Sequence, residues 1–188
     1  MKTHFLGYSP LLVLLACILA VSAVGCASCK PGKSPGLPLA YNLKLVPGDS
    51  LKDSSVVVDV IGVNPSELPK WQNYSLKKYW KAGDPVRQDA AKFTTSFVPG
   101  EQKTVVLKKT DPIWDKWLKA GVQHLVVLAD LPGAFEEGKV GSQDPRRQLL
   151  PLCKCYWPDK TEELTVKVQA GGVSLGNTPR EGWTLPAW

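Results

Sequence analysis

Residues 55–63 read Ser-Val-Val-Val-Asp-Val-Ile-Gly-Val (SVVVDVIGV). Side chains branched at Cβ are stiff at χ1 and suit a pleated, extended backbone. The run is apolar at nearly every position instead of alternating, so it reads as a strand buried on both faces, with Asp59 as its single interruption. On its N-terminal side, residues 42–46 (NLKLV) alternate as a half-buried strand does. Pro47-Gly48-Asp49-Ser50 between the two is turn chemistry, and the loop runs on through Lys52, Asp53 and Ser54.

Working outward in the other direction, residues 64–73 contain Pro65 and Pro69 and read as irregular. In residues 75–82 (SLKKYWKA), Leu76, Tyr79 and Trp80 fall at helical spacing, which predicts a short helix. Asp84-Pro85 can open a second one, with proline at its first position. Residues 92–98 and 103–108 both read as strands, and the Pro99-Gly100-Glu101 turn between them predicts a hairpin. Asp111-Pro112 opens a helix with Ile113, Trp114, Trp117 and Leu118 on one face, and Gly121 closes it. Residues 123–131 (QHLVVLADL) read as a central strand. Residues 147–155 read as an edge or bulged strand because of Pro151, and residues 164–169 as the last firm strand. Seven to eight short strands separated by turns, with one or two short helical inserts, predict an antiparallel β-sandwich over residues 40–176. Residues 177–188 read as a loosely held tail rich in Pro, Gly and Trp.

The N-terminus has the zones of a secretory signal over residues 1–25: Lys2, an uncharged apolar run at 11–20, then small residues. Gly25 directly precedes Cys26, which resembles the lipobox of bacterial lipoproteins. That resemblance implies cleavage after Gly25 and lipid on Cys26. Each buried CH₂ of an acyl chain contributes about 0.8 kcal/mol, so several chains make release negligible. Ala27, where an inner-membrane retention signal would carry Asp, implies the outer membrane by resemblance to enterobacterial sorting signals. Residues 26–39, with Lys30 to Pro38 reading KPGKSPGLP, are expected to be a flexible tether.

Of the five cysteines, Cys17 lies in the signal and Cys26 carries the lipid. Cys29, Cys153 and Cys155 then stand in an oxidising compartment. On one strand Cys153 and Cys155 would share a face, where a bridge is strained. A bond from Cys29 to either of them and unpaired, partly buried thiols both fit. C-x-C without a second ligand pair is poor ground for a metal site. The formal charge of +6 comes from scattered Lys and Arg pairs with no aromatic interleaving, which argues against nucleic acid.

No catalytic set is present. His124 opens an apolar strand and suits a structural role, Asp59 and Asp130 are candidate inward carboxylates, and no nucleophile elbow, metal-binding H-E-x-x-H pair or phosphate loop occurs. No cofactor is expected. The seven tryptophans include Trp71, Trp80, Trp114 and Trp117 in the helical inserts, where they either pack helix on sheet or form a binding face.

The order of elements resembles the outer-membrane lipoprotein of the type VI secretion membrane complex, the TssJ family. The features that carry the likeness are Cys26, the tether, the strand at 41–46, the loop at 47–54 and the Val-rich strand at 56–63. The aromatic insert at 74–80, the Pro99-Gly100-Glu101 turn and the strands at 125–130, 147–152 and 164–168 follow in the same order. The resemblance implies a non-enzymatic β-sandwich held at the outer membrane and facing the periplasm. It implies a partner, the periplasmic region of the inner-membrane protein TssM. Carried over, the contact loop is Gly48, Asp49, Ser50, Leu51, Lys52 and Asp53. The competing expectation is a periplasm-facing lipoprotein that binds a small ligand or cell-wall glycan through its Trp-rich inserts.

Overall fold

The structure, a computed structural model, describes residues 29, 36–101, 103–135 and 144–184. The signal, Cys26 and most of the tether therefore lie outside the described residues. Eight strands form two four-stranded sheets. The first has the order β4-β1-β7-β8, built from β1 (Asn42–Pro47), β4 (Val105–Leu107), β7 (Glu163–Gln169) and β8 (Gly172–Leu175). The second has the order β3-β2-β5-β6, built from β2 (Val56–Val63), β3 (Lys92–Phe97), β5 (His124–Ala129) and β6 (Arg147–Pro151). The protein is thus an all-β sandwich, as the strand pattern predicts.

The two sheets differ in what covers them. In the first, inward residues alternate with outward ones: Leu43 and Leu45 on β1, and Leu164, Val166 and Val168 on β7, enter the core between the sheets. The central strands of the second sheet, β2 and β5, are buried on both faces, while its edge strand β3 is partly exposed. Val56, Val58 and Val60 point into the inter-sheet core, while Ile61 and Val63 pack outward under the helical inserts. On β5, Leu125 and Val127 face inward and Val126 and Leu128 outward. This is why SVVVDVIGV is a continuous apolar run while NLKLV alternates.

The outer cover consists of α1 (Leu68–Asn73), α2 (Leu76–Tyr79) and α3 (Pro85–Asp89). Trp71, Leu76 and Tyr79 close the second apolar cluster against Ile61, Val63 and Leu149. Ser75 and Asp84 cap α2 and α3 by accepting from the amides of Lys78 and Arg87. A fourth helix, α4 (Pro112–Lys119), starts with Asp111 accepting from Ile113 N at 3.0 Å. It buries Trp114 and Trp117 at the inter-sheet core. Gly121, with φ of +72°, takes the left-handed turn after it.

Several local expectations are corrected. β3 and β4 do not form a hairpin: β3 pairs with β2 and β4 with β1, so the Pro99-Gly100 turn carries the chain from one sheet to the other. Alternation plus a turn describes either path, and only the partner strand decides. β1 and β7 pair in parallel, from Asn42↔Glu163 to Pro47↔Val168, within an otherwise antiparallel sandwich. Residues 64–73 are not wholly irregular: Pro69 sits in the first turn of α1, where a missing amide costs nothing. The strand at 147–155 stops at Pro151, and residues Lys154–Tyr156 form a 3-10 turn, so Cys153 and Cys155 do not share a strand face.

The described part of the tail is pinned, not loose. Arg180 Nε donates to Trp157 O at 3.0 Å and its guanidinium reaches Asp159 at 2.6 Å. The Trp183 ring meets Tyr156 edge-on at 5.0 Å.

Candidate functional site

The strands give the sandwich two distinct ends. β1 runs from Asn42 at one end to Pro47 at the other, and its parallel partner β7 runs alongside. The chain entry, the 3-10 turn at Lys154–Tyr156 and the tail gather at the Asn42 end. The loop at 48–53, the turn at 99–101 and the β7–β8 turn gather at the Pro47 end.

The loop at the Pro47 end is built rigidly. Gly48 N donates to Val168 O at 2.8 Å, and a Cβ added to Gly48 would lie 2.9 Å from Gln169 Cγ. Asp49–Leu51 is a single 3-10 turn. Ser50 Oγ accepts from Ala170 N at 3.0 Å, and Lys52 O accepts from Gly100 N at 3.0 Å. Leu51 has no exposure and belongs to the main core. The loop is therefore riveted to the sandwich by Leu51, to β7 through Gly48 and to the neighbouring turns through Ser50 and Lys52. Asp49, Ser50, Lys52 and Asp53 remain exposed. Val98, half exposed, follows β3 at this end and adds an apolar element that the sequence reading passed over.

At the opposite end Cys29 is bonded to Cys155, 126 positions away, and Cys153 is a buried free thiol. Burial pushes the Cys153 thiol pKa up, so it stays protonated. Pro38 bridges to Cys153, and Leu39 N donates to Leu152 O at 3.0 Å.

The remaining candidates resolve into structural roles. Asp59 is fully buried, whereas Asp130 is exposed, so only one of the two is an inward carboxylate. Asp59 accepts from Tyr79 Oη at 2.8 Å, Arg87 Nε at 2.9 Å and Thr94 Oγ1 at 2.6 Å. Burial and the Asp59 carboxylate push the Tyr79 phenol well above its ordinary pKa, so it remains a donor. This network staples the helical cover to β2 and β3. Burial lowers the His124 pKa, which keeps the imidazole neutral at the start of β5. Trp71, Trp114 and Trp117 are all within 5% exposure. Trp117 Nε1 donates to Ala91 O at 2.8 Å and Trp114 Nε1 to Lys108 O at 3.0 Å. They serve mainly as packing. A cleft of about 320 Å³ nevertheless opens between the inserts, bordered by Trp71, Trp117, Lys70 and Lys116. Among the described residues no group of three His, Cys, Asp or Glu side chains is placed to hold a metal.

These features define a β-sandwich with a helical cover and two chemically different ends. Neither a family model nor a curated protein matches the chain. Among solved structures it is similar to the type VI secretion lipoprotein TssJ1 from Pseudomonas aeruginosa, at 13% identity over 76% of this chain and 98% of that one, with a TM-score of 0.45. It is similar to Serratia marcescens Lip, a membrane-bound component of the type VI secretion system, at 14% identity over 76% and 99%, with a TM-score of 0.44. A structure described as the C-terminal domain of TssM from EAEC aligns at 14% identity over 72% and 98%, with a TM-score of 0.45.

Proposed function

We propose that the chain is a non-enzymatic lipoprotein of the TssJ type, anchored in the outer membrane through Cys26 and facing the periplasm. In this reading it is a structural part of the type VI secretion trans-envelope complex and binds the periplasmic region of a TssM-like inner-membrane protein. The contact surface is the loop of Gly48, Asp49, Ser50, Leu51, Lys52 and Asp53. Leu51 acts from inside as its anchor, and Asp49, Ser50, Lys52 and Asp53 meet the partner.

The observation that carries the reading is the construction of that loop. It projects four polar side chains from a backbone fixed by the core, by β7 and by Gly100. A surface of this kind binds with little backbone ordering cost and without disturbing the fold. The signal sequence ending at Gly25-Cys26 and the order of elements support the same conclusion. The test is co-purification from membranes. Wild-type protein should retain a large inner-membrane partner, and replacing Asp49, Ser50, Lys52 and Asp53 together by Ala should lose it. Retention by that variant would reject the loop assignment.

The cleft beside Trp71 and Trp117 favours one second reading, a small ligand or cell-wall glycan bound between the helical inserts. Quenching of Trp fluorescence by muropeptides, abolished by Lys70→Ala, would support it.

A further inference from the structure

The position of the disulfide sets how the sandwich sits relative to its anchor. Only residues 27 and 28 separate Cys26 from Cys29. Three extended residue steps reach about 10 Å. A free tether running from residue 26 to residue 38 would allow about 40 Å. With Cys29 bonded to Cys155, the longer reach is closed off, and the Cys155 end of the sandwich is held within the short one.

The surface at that end has two kinds of side chain suited to a lipid headgroup layer. Leu37 is 82% exposed and Leu39 42% exposed. Both follow Gly36, whose added Cβ would lie 3.8 Å from Cys155 Sγ. Leu39 also borders a cleft of about 310 Å³ with Tyr41, Lys109, Lys154 and Lys160 on its walls. The acids beside it are already engaged: Glu162 faces Lys109 at 3.5 Å and Asp159 faces Arg180 at 2.6 Å. Lys160 has no ion pair among the described residues, and Lys154 only adds to the positive field around Asp159. Exposed leucines beside lysines of this kind suit the boundary between headgroups and acyl chains.

We propose that the Cys29–Cys155 disulfide seats the sandwich end-on against the phospholipid bilayer that receives the lipid of Cys26, with Leu37, Leu39, Lys154 and Lys160 turned to anionic headgroups. The inference rests on the reading of Cys26 as the lipidated residue. Its consequence is directional. The loop at 48–53 sits at the far end of β1, about 20 Å away along the strand, and points from the membrane into the periplasm.

The experiment uses the full chain in its own membranes, with a site for a sequence-specific protease inserted after Lys33. After cutting, the sandwich should stay with the membranes and leave only when a reductant is added. Release without reductant overturns the disulfide seat. A chain absent from membranes before the cut overturns the lipid-anchor reading and the seat with it, and so is told apart from the first failure. A second measurement follows modification of lysines by a membrane-impermeant amine reagent, read by mass spectrometry. Lys154 and Lys160 should react several-fold more slowly in membranes than in the soluble Cys26→Ser protein, while Lys81, exposed on the helical cover and outside both ends of the sandwich, reacts equally in both. Cys29→Ser protein in membranes should recover the fast rate at Lys154 and Lys160. Equal rates at these two lysines in all three preparations overturn the seating.

Discussion

Arg87 Nε on α3 donates to Asp59 Oδ2 on β2 at 2.9 Å, and the guanidinium lies 4.5 Å from the centre of the Trp80 ring. Burial pulls the Arg87 pKa down, but the bond to Asp59, the Asp59 charge and the Tyr79 phenol together outweigh it and leave the pKa raised. The carboxylate also accepts from Tyr79 and Thr94, so one buried acid organises three elements. Replacing Asp59 by Ala strands all three donors at once, and breaking a buried charge pair costs about 3–5 kcal/mol. Arg87→Ala leaves the fully buried Asp59 carboxylate with neutral donors and no counter-charge, so it should cost a comparable amount. Thr94→Ala removes one neutral donor and should cost less, about 1 kcal/mol. Urea unfolding of the three variants checks the order, and a Thr94→Ala loss as large as that of Asp59→Ala would contradict it.

Gly62 on β2 lies under Trp117. A Cβ there would fall 2.4 Å from Trp117 Cδ1. The indole is held by its bond to Ala91 O and by the edge-on contact with Trp114, so it cannot swing aside cheaply. Gly62→Ala should destabilise by about 1–3 kcal/mol, the usual cost of overpacking. A shift of the indole resonance of Trp117 should accompany the loss, and an unchanged melting temperature would contradict it.

Asp144 is nearly buried and accepts from both Nε and Nη2 of Arg146, at 3.0 and 2.7 Å. Burial pushes its pKa up, and the bonds from Arg146 more than reverse that, so the folded pKa is depressed. A depressed acid stabilises the fold fully above its unfolded pKa of about 3.9. The contribution disappears as pH falls through the lower folded value. Asp144→Asn should therefore be less stable than wild type at neutral pH and converge with it in acid. Stability measured against pH decides; a gap that widens in acid would reverse the sign.

Leu51 makes the kind of loop variant matter. Deleting residues 48–53 removes a core leucine, and losing a buried leucine side chain costs about 2–5 kcal/mol. Such a deletion would confuse unfolding with lost contact. Leu51→Ala alone should lower stability by about that amount, while alanine at Asp49 and Asp53 should leave the melting temperature almost unchanged. Differential scanning fluorimetry of the three variants separates the anchor from the exposed face.

Cys26→Ser should give a folded domain that no longer sediments with membranes. The disulfide at Cys29 should persist in it, because that bond depends on the sandwich and not on the lipid. A membrane-bound Cys26→Ser protein would remove the lipobox reading.

Strand positions were legible because their signals are local. The β-branched run at residues 55–63, the alternation at residues 42–46 and the Asp111-Pro112 opening of α4 each act over a few residues, and the structure places elements at all three. The loop at 48–53 was legible only as a turn; that Leu51 faces the core while its neighbours face out depends on where β7 and Gly100 lie. The same limit applies to the partners of Asp59, which come from 20, 28 and 35 positions away. Most strand positions, the Asp84 and Asp111 helix openings and the two-sided burial of β2 could be read along the chain, since backbone preference and hydrophobic period reside in neighbouring residues. The packing of distant segments is what puts β3 and β4 in opposite sheets, runs β1 and β7 parallel and gives Cys29 to Cys155 instead of Cys153. Those outcomes depend on which distant surfaces meet when the two sheets close on one core, and no short stretch of chain encodes that meeting alone.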